Sequence, residues 1–320
     1  SLNSVSHPPL KYPETAVTNL VDSYHGTPVA DPYRWLEDEN SPETRAWIEA
    51  ENQVTFGYLE KLPERDPIRR RLTELYLYDR YGVPVKQGDR YFFTRTQGLQ
   101  NQTVLYTAPS LDAEPQVLLD PNTLSPDGTT ALKAYAPNDS GTLITYALSV
   151  AGSDWEEWRV RDVATGRDTG DVLNWVKFSA CGWKTDNSGF FYSRYDAPPE
   201  GQALRQVNEF QKLYFHRLGT PQSADELVYE RKDRPSWGFS GLTTEDGRYL
   251  LIVVTEGTDT RNRIYLKDLT QPGSPVRPLM DDFDASYNFA GNVGNTFYFL
   301  TDRQAPRGRL IAVDVNQPSP

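Results

Sequence analysis

Two kinds of hydrophobic patterning divide the chain. Up to about residue 80, apolar residues recur at three- and four-residue steps. Trp47, Ile48, Val54, Tyr58, Leu59 and Leu62, with the polar Glu51 among them, mark one face of an amphipathic helix running to about Leu62. Ser41-Pro42 supplies its start, because serine can cap the first turn and proline loses nothing by lacking an N–H there. Asp66-Pro67 repeats that signal, and Ile68, Leu72 and Leu75 predict a second, shorter helix. Ahead of both, Asp31-Pro32-Tyr33-Arg34-Trp35-Leu36-Glu37-Asp38 is too aromatic for a linker and is expected to pack against a larger body.

From about Tyr81 the pattern changes to short aromatic and β-branched runs separated by Gly, Pro, Asp and Asn, which predicts strands and turns. Five glycines, Gly88, Gly141, Gly189, Gly247 and Gly294, recur roughly fifty residues apart, and each leads into an aromatic-rich strand. A second, alternating strand follows each of these, as in Trp158-Arg159-Val160 and Ile264-Tyr265-Leu266. A third follows in four of the five units, as in Leu227-Val228-Tyr229. Adding a strand before each glycine turn, such as Val176-Lys177-Phe178 or Trp237-Gly238-Phe239, makes each complete unit a four-stranded antiparallel sheet, a propeller blade. A β-sandwich with regular turns is the competing fold, and the fivefold recurrence of one element order favours the propeller.

The fold expected is therefore mainly β. An α-helical N-terminal segment over residues 1–80 precedes a β-propeller of about four and a half blades over 81–320, truncated in its fifth blade. A ring left open would expose unpaired strand edges, so the natural domain is expected to continue past Pro320. The only methionine is Met280, so Ser1 is expected to follow a cut: a processed leader, a cloning scar or an incomplete reading frame.

Composition narrows the function classes. With 33 Lys+Arg against 44 Asp+Glu the formal net charge is −11, and the one basic cluster, Arg69-Arg70-Arg71, falls in a helical pattern. Nucleic acid is not expected as a partner. A mean hydropathy of −0.63 with no long apolar run argues against a membrane partner. The lone Cys181 cannot form an internal disulfide, which favours a reducing compartment, and is read as buried filler. His7, His25 and His216 are too scattered for a metal site, and no cofactor is implied.

Candidate chemistry is sparse. No G-x-S-x-G nucleophile elbow occurs, and Gly238-Phe239-Ser240-Gly241 has the wrong spacing for one. His216, in Leu213-Tyr214-Phe215-His216, is read as a blade-surface histidine with no carboxylate assignable nearby. Asp281-Asp282-Phe283-Asp284 is read as an acidic turn between strands, since it lacks the glycine and final glutamate of a calcium loop. Asn101-Gln102-Thr103 and Asn138-Asp139-Ser140 have the form of glycosylation sequons, a form that arises often by chance.

A set of longer motifs adds more. Tyr24-His25-Gly26, the Asp31–Asp38 run, Gly98-Leu99-Gln100-Asn101-Gln102, Leu119-Asp120-Pro121-Asn122, Gly152-Ser153-Asp154-Trp155, Val176-Lys177-Phe178-Ser179, Gln211-Lys212-Leu213-Tyr214, Asp246-Gly247-Arg248-Tyr249 and Asn262-Arg263-Ile264-Tyr265 occur in order, within a likeness that covers the chain from Lys11 to about Val315. In order and spacing they resemble the N-terminal half of the prolyl oligopeptidase (prolyl endopeptidase) family of serine peptidases. The resemblance implies a helical segment packed on an α/β-hydrolase domain, and a seven-bladed propeller capping the active-site mouth. It implies a catalytic triad located after the last blade, hence no catalytic residue in this chain, which is expected to be inactive alone. The family hydrolyses short peptides on the carboxyl side of proline by an acyl-enzyme route, with the propeller gating access.

The resemblance also assigns substrate-facing residues. Phe178 matches a phenylalanine lining the pocket for the third residue before the scissile bond. Asp154 and Arg263 match an acidic and a basic residue facing the hydrolase domain near the bound peptide. Read alone, these three would be core, turn and strand-surface residues. Gly238 stands where some relatives carry a methionine of that pocket and Lys267 near where some carry a cysteine, so a wider, more polar pocket is expected. The implied partners are short proline-containing peptides and the chain's own C-terminal hydrolase domain. A cytoplasmic location follows from the family and the single cysteine, or a periplasmic one if a leader was removed. The alternative function is a stand-alone propeller serving as a protein-interaction module without catalysis. A glycosidase propeller would need paired axial carboxylates, which sequence cannot place.

Overall fold

The computed structural model describes residues 9–317. The chain forms two compact units, one ending at Leu77 and one beginning at Tyr78.

The first unit opens with a hairpin of β1 (Val21–Tyr24) and β2 (Thr27–Ala30). Its two-residue turn has both central residues at positive φ, His25 at 51° and Gly26 at 85°, the geometry that matches strand twist. Strand periodicity did not reveal this hairpin, because nearly all its residues are exposed and no apolar alternation marks it. Arg34 ties the following turn together through ion pairs with Asp22 and Asp31. Helix α1 (Pro42–Leu59) begins as expected, with Ser41 Oγ accepting from the Thr44 N–H at 3.2 Å.

Helix α2 (Arg65–Tyr76) starts ahead of Asp66, which makes no cap. Backbone bonds from Arg65 to Leu62 and from Ile68 to Glu64 close the turn first. Asp66 instead sits in the first turn, where a carboxylate complements the helix dipole, and pairs with Arg69 at 2.5 Å. Replacing Ser41 by alanine is expected to cost about 1 kcal/mol of helix stability, read as faster amide exchange at Thr44 and Arg45.

The second unit is a five-bladed β-propeller portion. Blade one has β3 (Arg80–Tyr81) and β4 (Val85–Gln87) both pairing with β5 (Arg90–Thr96), then β6 (Val104–Ala108) and β7 (Gln116–Leu119). Blade two is β8 (Thr130–Pro137), β9 (Leu143–Val150), β10 (Glu156–Asp162) and β11 (Asp168–Val176). Blade three is β12 (Gly182–Trp183), β13 (Gly189–Arg194), β14 (Lys212–Arg217) and β15 (Glu226–Tyr229). Blade four is β16 (Trp237–Thr243), β17 (Tyr249–Glu256), β18 (Arg263–Asp268) and β19 (Arg277–Met280). Blade five has β20 (Tyr287–Val293), β21 (Thr296–Thr301) and β22 (Arg309–Asp314) among the described residues.

One expected strand is absent. Val176-Lys177-Phe178 is not the inner strand of blade three: Val176 ends β11, and Phe178 takes a left-handed φ of 54° that no pleat allows. The inner strand is the two-residue β12 instead.

The core lies between blades. Four clusters of buried side chains fill the four blade-to-blade interfaces. In β17, Leu250, Ile252 and Val254 face blade three, and Tyr249 and Leu251 face blade five, so the strand is apolar on both faces. That double burial is why the run Tyr249-Leu250-Leu251-Ile252 is continuously hydrophobic rather than alternating. Glycine permits the closest approach within blade three: a Cβ on Gly189 would come within 2.0 Å of the His216 carbonyl oxygen.

His216 contradicts its reading as a surface residue. It is fully buried, with Nδ1 2.7 Å from Asp225 Oδ1 and Nε2 3.0 Å from Asp171 Oδ1. Carboxylates only accept, so both ring nitrogens donate and the ring is an imidazolium. Burial pushes its pKa down, but the bonds to Asp171 and Asp225 outweigh that and lift it to about 9. Asp171 lies on β11 and His216 on β14, so the triad clamps blade two to blade three.

Candidate functional site

One end of the blades carries the candidate site. There β13 and β17 end, β14, β16 and β18 begin, and the connections between neighbouring blades cross. A groove of about 450 Å³ opens between blades three and four, lined by Phe178, Tyr195, Asn208, Gln211, Gly238 and Thr255, among others.

Phe178 is set in this groove against its conformational preference. Its side chain is 59% exposed and its φ of 54° costs a non-glycine residue on the order of 1–2 kcal/mol. Such a residue persists only where its surroundings over-determine it, and Gln211 does this. The buried Gln211 amide donates to the Lys177 carbonyl at 2.8 Å, and its Oε1 accepts the Phe239 N–H of blade four at 2.6 Å. An exposed, strained aromatic does not belong to the core, so the side chain is free for contact with a ligand.

Gly238 lines the same groove, and it is more than a missing side chain. A Cβ there would lie 3.0 Å from Thr255 Oγ1 and 3.2 Å from Gln211 Oε1, so a larger residue must displace one of them. Lys267 is elsewhere. It pairs with Leu250 at the opposite end of blade four and donates to the Ser274 carbonyl, so its identity has no bearing on the groove.

Asp154 and Arg263 lie at the same end of the blades but outside the groove lining. Asp154 is exposed in the turn before β10 and acts electrostatically on Lys177, whose pKa burial pulls down and Asp154 raises. Arg263 is held rigidly. Its guanidinium sits 4.9 Å from the Trp237 ring and 4.6 Å from the Phe283 ring, and Nη1 bonds Asp281 Oδ1 at 2.8 Å.

Periodicity did not single out Asn208, Tyr195 or Thr255. Asn208 comes from a long connection between β13 and β14, where no pattern applies. Gln211 did carry a signal, in the motif Gln211-Lys212-Leu213-Tyr214, though not its role as the brace of Phe178.

Other candidates are inert. Burial pushes the Cys181 thiol up to about 12, against a hydroxyl bond from Thr145 that lowers it, so it is no nucleophile. Asn138 of the second sequon is fully buried and bonds the Thr142 and Leu143 N–H groups, which excludes it as a glycan acceptor. His216 has both ring nitrogens committed to carboxylates, leaving none to take a proton from a serine.

Residues 12–320 match the family model described as prolyl oligopeptidase, N-terminal beta-propeller domain. The chain is 39% identical over 309 residues to a prolyl endopeptidase of Elizabethkingia meningoseptica, covering 97% of this chain and 43% of that protein. It is 32% identical to prolyl oligopeptidase A of Amanita bisporigera, covering 99% and 46% respectively. Among solved structures, a prolyl endopeptidase superposes with a TM-score of 0.69 at 36% identity, over 98% of this chain and 45% of that one. Prolyl oligopeptidase B from Galerina marginata, bound to a 35mer hydrolysis and macrocyclization substrate, superposes with a TM-score of 0.80 at 27% identity, over 98% and 47%. The chain spans less than half the length of these relatives. The family model spans residues 12–320, nearly the whole chain, so the chain belongs to the prolyl oligopeptidase N-terminal β-propeller family.

Proposed function

We propose that the chain is the helical and propeller portion of a serine endopeptidase that hydrolyses short peptides on the carboxyl side of proline, with the propeller gating access to a hydrolase domain. The observation that carries the reading is Phe178, an exposed aromatic held at a strained φ beside a groove. Its ring offers an apolar face to a peptide side chain or blocking group. In this reading Asp154 and Arg263, at the same end of the blades, face the bound peptide: Arg263, fixed between two rings, offers a pre-organised cation to a peptide carbonyl or carboxylate.

The first unit supports the same reading. Ile68 and Leu72 of α2 are exposed and, with Leu59 and Leu62, line an apolar hollow of about 470 Å³, suited to packing on a further domain. A cytoplasmic location belongs to the reading, since the single cysteine suits a reducing compartment.

The test compares the chain with the full-length product of its gene on a reporter peptide ending in Gly-Pro. The full-length protein is expected to release the reporter and to lose that activity to a serine-directed inhibitor, while the 320-residue chain releases nothing. Inhibitor-sensitive turnover by the chain alone overturns the proposal that catalysis resides outside it.

A further inference from the structure

Behind Phe178 lies a buried cation whose position has a consequence for the groove. Lys177 is 7% exposed. Its ammonium stands 3.8 Å from the centre of the Trp155 ring and donates to Asn208 Oδ1 at 3.1 Å. An ammonium has donors and no acceptor, so it settles which arm of the Asn208 carboxamide faces it: the oxygen. The Nδ2 amino group, with two hydrogens, takes the other side, and Asn208 lines the groove.

The segment carrying Asn208 is held at both ends. Trp155 Nε1 donates to the Ala203 carbonyl at 2.7 Å, and the Phe210 N–H donates to the Pro235 carbonyl at 2.8 Å. The other side-chain amide of the groove, Gln211, has both arms committed to the protein, and the Ser236 hydroxyl donates to Glu256 at 2.7 Å.

We infer that Asn208 is a specificity-determining residue that donates its Nδ2 hydrogens to a main-chain carbonyl of the peptide lying against Phe178, and that Lys177 is the positioning residue that orients it. This rests on the peptidase reading above and extends it. A peptide carbonyl accepts and has no proton to give, so the orientation imposed by Lys177 is the productive one. A carboxamide turned the other way would set oxygen against oxygen.

The experiment uses the full-length protein and two reporters: an unblocked Gly-Pro anilide, too short to reach the groove, and the same anilide extended by two residues on its amino side. Asn208→Asp keeps the shape and the bond to Lys177 but replaces the donor by an acceptor. It is expected to lower kcat/KM for the extended reporter about five- to tenfold, mainly through KM, and to leave the short reporter unchanged. Lys177→Met is expected to give the same selective loss, Lys177→Arg to restore most of it, and the Lys177→Met/Asn208→Ala pair to be no worse than Asn208→Ala alone. If Lys177→Met does not fold, the two exposed-site variants of Asn208 still decide the matter. Equal losses on both reporters, or none on the extended one, overturn the role of Asn208. A wild-type protein that cleaves neither reporter overturns the peptidase reading itself and this assignment with it.

Discussion

His216→Gln is expected to lower the melting temperature of the propeller by roughly 10 °C, from a loss of about 3–5 kcal/mol in a unit of this size. The substitution leaves Asp171 and Asp225 buried with no cation between them. Both carboxylates have further partners: Thr169 Oγ1 and the Gly219 N–H on Asp171, and the Tyr192 hydroxyl at 2.5 Å on Asp225. Those neutral donors satisfy lone pairs and cannot neutralise two charges.

The same clamp sets a pH dependence. The folded-state pKa of His216 is raised from 6.5 to about 9. Its contribution, roughly 3 kcal/mol, is therefore fully present below 6.5 and is lost as pH rises through about 9. Asp171 has the opposite sense. Burial raises its pKa, but bonds from His216, Thr169 and Gly219 hold it below 3.8, so its contribution is present above that value and is lost in acid. Melting temperature against pH should be flat between about 3.8 and 6.5, fall between 6.5 and about 9 as the His216 contribution is lost, and fall again in acid. In His216→Gln the alkaline fall between 6.5 and 9 should disappear; a mutant curve parallel to the wild type in that range would show that the imidazolium is not the stabilising group.

Phe178→Ala should separate activity from stability. In the full-length protein it is expected to reduce kcat/KM about ten- to thirtyfold for peptides long enough to reach the groove, carried by KM, because an aromatic contact of about 1.5–2 kcal/mol is lost. The melting temperature should not fall, since the ring is more exposed than buried. Phe178→Gly sharpens the contrast: glycine adopts a φ of 54° freely, so this variant should be more stable than wild type by up to about 1 kcal/mol while equally impaired. A drop of several degrees in either variant would mean the ring is structural and would remove it from the groove's function.

The propeller was legible in the chain because each blade packs face to face on its neighbours. Central strands such as β17 must then be apolar on both sides, and a strand buried twice leaves a run like Tyr249–Ile252 that survives without any partner being known. Helix α1 was legible for a local reason, since Ser41, Pro42 and Thr44 act within one turn. Motif resemblance pointed to Phe178 and Gly238, and the fold places both in one groove, whereas Lys267 fell at the far end of its blade.

What the linear pattern could not carry was any interaction between residues distant in sequence and joined by charge or hydrogen bonding. Asp171 and His216 are 45 residues apart and belong to different blades. A period of two states which face of a strand is buried, but not which carboxylate arrives from the next sheet, so a buried imidazolium read as a surface histidine. Phe178 read as part of a strand for a related reason: its left-handed backbone is held by Gln211, 33 residues further on, and no local propensity records a strain enforced from so far along the chain. By itself the sequence determined the repeating blades and the capped helix, because both depend on short-range periodicity and burial. The tertiary structure alone decided the imidazolium clamp, the exposed ring and the orientation of Asn208, because each depends on a buried polar partner thirty or more residues away in the chain.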